Sequence, residues 1–408
     1  MRRRAAAGTA KKRAETRFEG LGEGRSKPIY IRPRCTDTAV LIAFYNPARF
    51  HRSLKNLLYL MAIFKEYGIP CFVAECVFGS QRPQVPGATL VARSNTYLFY
   101  KEQLLNRLEP MVPAQYTKLV MLDGDILFDT PDWLDQVSNR LDAYDIVQPF
   151  SQACWLNPEN TIISTKKYGY GYALNRRMRV APGEIHSYHS GFAWAFKREV
   201  FKQLGGYFDR AIVGGGDMIF VCAFLPPECV ARHQADMQIP PMIFEDAWPA
   251  YKQRAEQLNP RIGYLDIKAL HLFHGLSLNR QYRTRYKNIL HQLEGTWDET
   301  VELNGDGLYE FRDPAKKGML LDYFKARKED IPIKEAVEAM AQLRQQATTR
   351  RRRSSRRVKA PVAASVPSPP TVEIQSFNLP MLPPALLSNI PTGLNAADSI
   401  PEAAAANM

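Results

Sequence analysis

The chain is short of several features that would each have named a class of protein. It has no apolar run able to span a bilayer: the longest, Leu57–Phe64, is under half the roughly 20 residues a membrane helix needs. Its six cysteines, Cys35, Cys71, Cys76, Cys154, Cys222 and Cys229, form no C-x-x-C pair and no dense framework. Neighbours such as Phe72 and Val73 beside Cys71 are apolar, so reduced core thiols and a reducing compartment are expected. Arg2–Arg4 leads into small and polar residues, not into the apolar stretch of a secretory signal. The expectation is a soluble, cytoplasmic protein without a transmembrane segment. No internal repeat is visible.

Charge is also scarce where a nucleic-acid-binding core would need it. The formal net charge is +13, yet residues 1–34 supply +8 and residues 350–359 supply +7, leaving residues 35–349 at +1. The basicity belongs to the ends, and a core that contacts nucleic acid is not expected. Arg350–Lys359 has several open uses: nuclear import, a polyanion contact, a peripheral contact with an anionic membrane, or none beyond a solvated tail.

What is present fits a globular protein. Hydrophobic residues make up 45% and charged residues 23% of 408, ample for a buried core. Residues 1–37 read as a disordered basic tail, residues 38–320 as one folded domain and residues 321–346 as a C-terminal helical extension. Residues 347–408, first Arg/Ser-rich and then Pro/Ala-rich, read as a second disordered tail.

Within the domain, apolar runs at Ala39–Phe44, Cys71–Phe78, Ala88–Ala92 and Lys118–Leu122 have strand character. Between them, His51–Tyr67 places Leu54, Leu57, Leu58, Met61 and Phe64 at helical spacing, and Tyr100–Leu108 is a second helix. Further helices are expected at Trp133–Asp145, Arg198–Leu204 and Asp217–Phe224, with strands at Ile146–Pro149 and Gly191–Phe196. Residues 151–188 are expected to be an irregular, substrate-facing excursion. Alternating strands and helices indicate an α/β fold with a mainly parallel central sheet flanked by helices. In such sheets ligands bind beyond the carboxyl ends of the strands.

Three constellations carry chemistry. The first is Asp123-Gly124-Asp125, delivered by the apolar strand Leu119–Leu122 and followed by Ile126-Leu127-Phe128. Two carboxylates separated by the smallest residue suit Mn²⁺ or Mg²⁺, although Asp and Gly also populate ordinary turns. The second runs from His189-Ser190-Gly191-Phe192-Ala193-Trp194 through Gly205-Gly206-Tyr207-Phe208-Asp209 to Gly214-Gly215-Gly216-Asp217. Glycines let the backbone pass close to a ligand, and Asp217 opens a helix, where it serves either as an N-cap or as a proton acceptor. The third is His271-Leu272-Phe273-His274-Gly275, with Arg280 close behind; one imidazole could complete a metal site begun by the carboxylates, or be a structural residue. Trp194 or Trp155 could stack on a sugar ring or simply fill the core.

Taken together, these segments resemble the GT-A fold glycosyltransferases, in particular family-2-like and galactosyltransferase-like members. The resemblance covers about Thr38 to Phe311. It implies a metal-dependent transfer of a sugar from a nucleoside-diphosphate sugar to an acceptor hydroxyl, with inversion, on a glycan, protein or lipid-linked acceptor. Phe99–Asn106 resembles the donor-contacting segment, which implies that Lys101 touches the donor and Asn106 shapes its pocket. Asp123, Gly124, His189, Gly191, Trp194, Gly215 and Gly216 are carried over as substrate-binding positions. Asp123, Asp125 and His274 are implied as the metal ligands, His274 being preferred to His271 because Gly275 follows it. Asp217 is implied as the catalytic base, although the Glu-Asp usual in the family is Gly216-Asp217 here. Two other readings stand beside it. A nucleotidyltransferase would carry a Gly-rich loop after the first strand, where this chain has Tyr45-Asn46-Pro47-Ala48-Arg49. A polyanion-binding scaffold would act through the basic ends.

Overall fold

The computed structural model describes residues 30–357, apart from 177, 179, 291, 292 and 294; the tails expected at 1–29 and 358–408 lie outside them. Strand β1 (Thr38–Tyr45) is an apolar run because both its faces are covered. Ala39 and Leu41 face one core, while Val40 and Ile42 face the other. Helix α1 (His51–Tyr67) buries Leu54, Leu57, Leu60, Ile63 and Phe64, and stops at Gly68, whose φ of 66° suits a residue without a side chain. β2 (Cys71–Phe78), β3 (Leu90–Ser94), α2 (Lys101–Leu108) and β4 (Lys118–Leu122) complete the amino-terminal half.

The chain continues through β5 (Ile126–Phe128), α3 (Trp133–Ala143), β6 (Ile146–Gln148), β7 (Gln152–Leu156), β8 (Ile163–Tyr168) and α4 (Tyr170–Asn175). Then come β9 (Ala193–Lys197), α5 (Arg198–Leu204), α6 (Gly216–Cys222), α7 (Pro227–Met237), α8 (Ala247–Leu258), β10 (Ile262–Tyr264) and β11 (Lys268–His271). Helices α9 (Arg285–Leu290) and α10 (Trp297–Thr300), the hairpin β12 (Val301–Leu303) and β13 (Tyr309–Phe311), α11 (Leu321–Ala326) and α12 (Ile333–Arg357) close the described chain.

The central sheet has seven strands in the order β10-β6-β9-β4-β1-β2-β3. All neighbours are parallel except β9, which runs antiparallel to both β4 and β6. A second sheet, β5-β11-β7-β8, lies beyond the end of β4. The α/β class and the mainly parallel sheet are as expected. β1 and β4 are adjacent and parallel, so the loops after both open on one side.

Several sequence expectations need correction. Residues 151–188 hold β7, β8 and α4 where an irregular excursion was expected, because β7 pairs with β11, far along the chain. The amino-terminal tail cannot reach 37: Tyr30 is fully buried against Trp133 and Phe64, and its hydroxyl accepts the Phe128 N–H at 2.9 Å. The boundary at 320 likewise cuts packed structure, since Tyr323 and Phe324 of α11 lie in the main core. Helix α12 continues past 346 to Arg357. All six cysteines are free thiols, four of them buried. Among the described residues no helix is long and apolar enough to cross a membrane.

Candidate active site

β4 ends at the buried Leu122, and Asp123, Gly124 and Asp125 make the step into β5 of the second sheet. A Cβ at Gly124 would stand 3.2 Å from the Leu57 side chain of α1, so a larger residue between the carboxylates would press on that helix. β11 runs antiparallel to β5 with His271 opposite Ile126, which brings the imidazole alongside Asp125. The Leu272 N–H donates to the Asp125 carbonyl at 2.9 Å, and the chain then turns His274 back over the same carboxylate.

The outcome is a compact triad. Asp125 Oδ2 lies 2.7 Å from His274 Nε2 and 3.7 Å from His271 Nε2, and the two nitrogens are 3.1 Å apart. Donor atoms of all three residues fall within 4.8 Å of one another. Asp125 Oδ1 is buried without a hydrogen-bond partner. Burial works to raise the Asp125 pKa, but His271, His274 and Arg280 hold the carboxyl well below its usual range. Burial pushes His271 down to about 3, against the pull of Asp125. At His274 burial and Arg280 work downward, and Glu329 and Asp125 outweigh them, so its pKa is raised. Two imidazole nitrogens and a carboxylate with an unpaired oxygen suit a divalent cation.

A second cluster stands beside the triad. Lys101, the first residue of α2, places its Nζ 2.6 Å from Asp123 Oδ1 and 2.7 Å from Asp217 Oδ1. Burial opposes charge on the lysine, but Asp123 and Asp217 raise its pKa well above the ordinary value. Burial pushes Asp123 up to about 6, with Lys101 opposing. Gly214 and Gly215, at φ 82° and 88°, swing the backbone into α6, whose N-cap is Gly215. Asp217 therefore is not the cap; its side chain turns to Lys101 and the cavity.

A cavity of about 820 Å³ joins the two clusters. Lys101, Asp123, Gly124, Asp125, His189, Gly191, Gly215, Gly216, Asp217, His271 and His274 all line it, as does Trp155. Two residues singled out from sequence do not. Trp194 is 1% exposed, sits on β9 opposite Met121, packs edge-on to Phe220 and donates its indole N–H to the Ser190 carbonyl. Asn106 is a brace: its amide donates to the Tyr207 carbonyl and accepts the Tyr207 N–H, both at 2.8 Å, fixing the Gly205-Gly206 turn to α2. The group of side chains that could hold a metal ion differs from the set read from sequence: His271 stands with His274 at Asp125, whereas Asp123 faces Lys101.

Two residues were missed, Glu329 and Glu102. Glu329 lies 3.3 Å from His274 Nδ1 and is ringed by Arg280, Arg327 and Ser53. Nothing in its local sequence marks it, because it arrives from the segment after α11. Glu102, one residue past Lys101, is buried behind Gly216, where an added Cβ would fall 2.0 Å from its Oε1. The glycine at 216 was the available signal. Arg280, read from sequence as part of a basic-aromatic stretch suited to contact phosphate, places its Nη2 2.7 Å from the His274 ring nitrogens.

No family model matches the chain, and no curated protein matches it in sequence. Solved structures do. The catalytic domain of Drosophila β1,4-galactosyltransferase 7, in complex with xylobiose, is 14% identical over 65% of this chain and 85% of that one, with a TM-score of 0.31. A mutant of the same enzyme with manganese, UDP-Gal and xylobiose is 19% identical over 46% and 62%, with a TM-score of 0.26. A protein of Desulfovibrio desulfuricans G20, assigned as a nucleotide-diphospho-sugar transferase, is 12% identical over 63% and 91%, also with a TM-score of 0.26.

Proposed function

We propose that the chain is a metal-dependent glycosyltransferase of GT-A type that moves a sugar from a nucleoside-diphosphate sugar to an acceptor hydroxyl with inversion. The observation that carries this reading is the juxtaposition of two clusters on one cavity wall: Asp125 with His271 and His274, and Lys101 between Asp123 and Asp217. Asp125, His271 and His274 would hold the cation, and two nitrogen donors favour Mn²⁺ over Mg²⁺. When bound, the metal neutralises a diphosphate leaving group.

The remaining roles fall to the chain itself. Arg280 and Arg285 line the cavity and offer guanidinium forks to phosphate oxygens. Tyr45-Asn46-Pro47, in the loop after β1, lines the same space and forms a wall for the nucleoside. Lys101 holds Asp217 by one oxygen, which orients the carboxylate to take the acceptor proton with the other. Trp155 presents an aromatic face to a sugar ring.

The test is hydrolysis of UDP- and GDP-sugars with Mn²⁺, with Mg²⁺ and after chelation, by wild type and Asp125→Ala. The proposal expects turnover that chelation abolishes, that Mn²⁺ restores better than Mg²⁺, and that Asp125→Ala lacks. Equal turnover by the variant would remove the metal site from the mechanism.

A further inference from the structure

The second sheet sets out a row of side chains along the cavity. His271 on β11 stands in register with Trp155 on β7, and Trp155 stands opposite Thr165 on β8. Partners in register share a face, as do residues two apart on one strand, so Lys167 of β8 lies on that face too. His271, Trp155, Thr165 and Lys167 all line the cavity, and the rings of His271 and Trp155 are 6.4 Å apart. Neighbouring strands are about 4.8 Å apart, which puts Lys167 two spacings, about 10 Å, across the sheet from His271. A diphosphate held at Asp125, His271 and His274 leaves this lysine without a partner.

Lys167 carries a half-buried charge, and no carboxylate pairs with it among the described residues. Its ammonium donates to the His186 carbonyl, which leaves further N–H groups for a ligand. Arg283, in the turn before α9, also lines the cavity and has no described carboxylate partner. Burial and the Arg283 charge both hold the Lys167 pKa below the ordinary lysine value, so the two cations act on each other. One acid approaches, Asp236, but Arg232 holds it at 2.9 Å and His186 Nε2 at 3.4 Å. Like charges set together without a counterion cost stability, and an oxyanion between them removes that cost.

We infer that Lys167 and Arg283 form an anion subsite for an acidic acceptor, a sugar whose ring lies on Trp155 and whose carboxylate or phosphate reaches the two cations. The inference rests on the glycosyltransferase reading and narrows its acceptor. An indole offers an apolar face to the C–H side of a sugar ring. Trp155 and Lys167 are diagonal neighbours across β7 and β8, about 7–8 Å apart, so a ring stacked on one brings its acidic substituent to the other. The guanidinium of Arg283 adds a planar fork that suits either oxyanion.

The full chain is titrated by calorimetry, first with UDP and with GDP in the presence of Mn²⁺. A wild type that binds neither nucleotide overturns the glycosyltransferase reading itself. With the bound nucleotide filling the diphosphate site, glucuronic acid, glucose 6-phosphate and glucose are then compared. Wild type should bind at least one of the acids about fivefold or more tightly than glucose. A preference for glucuronic acid assigns a carboxylate, and a preference for the sugar phosphate assigns a phosphate ester. The double variant Lys167→Gln, Arg283→Gln should lose the preference while its nucleotide affinity stays within about twofold of wild type, which also shows that the fold persists. Acids that wild type binds no better than glucose, or not at all, overturn the inference. So does a preference that survives the double substitution. A nucleotide affinity that falls with the substitution overturns it as well, because the two cations would then serve the diphosphate.

Discussion

The carboxylate of Glu329 lies 3.3 Å from Nδ1 of His274, across the imidazole from Asp125, which lies 2.7 Å from Nε2. A carboxylate on the far nitrogen fixes the ring and leaves Nε2 to face a metal. The segment that supplies it is tied down: the Asp330 carboxylate accepts the His51 and Arg52 N–H groups at 2.8 and 2.7 Å, satisfying the start of α1. Gly275, at φ 95°, lets the backbone pass where a Cβ would stand 3.1 Å from Glu329 Cα.

Glu329→Gln is therefore expected to weaken Mn²⁺ binding by about 10- to 100-fold while the fold persists. Titration calorimetry with Mn²⁺, alongside circular dichroism, measures both. Wild-type affinity in the variant would mean that the Glu329–His274 pair serves packing alone.

Gly216 and Glu102 are matched in shape, since a methyl group at 216 would collide with the Glu102 carboxylate. Gly216→Ala should destabilise the protein by about 1–3 kcal/mol, and less when combined with Glu102→Ala. Burial pushes Glu102 up to about 8, against the nearby Lys101 charge and with help from Asp217. The unfolded residue titrates near 4.5. Between those values the folded state keeps a proton that the unfolded state has lost. This contribution to stability is thus fully present in acid and declines as pH rises towards 8. Urea melts at a series of pH values should show a flatter profile for Glu102→Gln than for wild type.

Trp194 and Trp155 should separate cleanly. Trp194→Ala removes a 1%-exposed side chain between the sheet and Phe220, at a cost of roughly 3–5 kcal/mol. Trp155→Ala alters a half-buried cavity wall and should raise the donor or acceptor KM with a smaller loss of stability. Thermal melts and steady-state kinetics on both variants decide; a reversed pattern would return Trp194 to the substrate side.

Truncation distinguishes the amino-terminal boundary read from sequence from the one set by packing. Removing residues 1–29 should leave melting temperature and donor hydrolysis unchanged. Removing residues 1–37, the tail as read from sequence, takes away Tyr30, and with it a buried ring and the partner of the Phe128 N–H. Roughly 3–5 kcal/mol should be lost. Equal melting temperatures for the two truncations would refute the structural role of Tyr30.

Local pattern alone determined the strand-helix alternation, the carboxylates at the end of β4, and the glycine run before Asp217. Each of these depends on neighbours in the chain: a buried strand needs an apolar run, a tight step needs glycine, a helix needs its period. Tertiary structure alone decided that both histidines stand at Asp125, because the pairing of β11 with β5 sets His271 opposite Ile126 and the chain then turns His274 back over the same carboxylate. It also decided that Trp194 is core, since a strand covered on both faces shows no alternation from which to read a side chain's direction. Glu102 and Glu329 belong to the same category. A buried carboxylate is written with the same letter as a solvated one, and only the groups packed against it from distant segments make it part of a site.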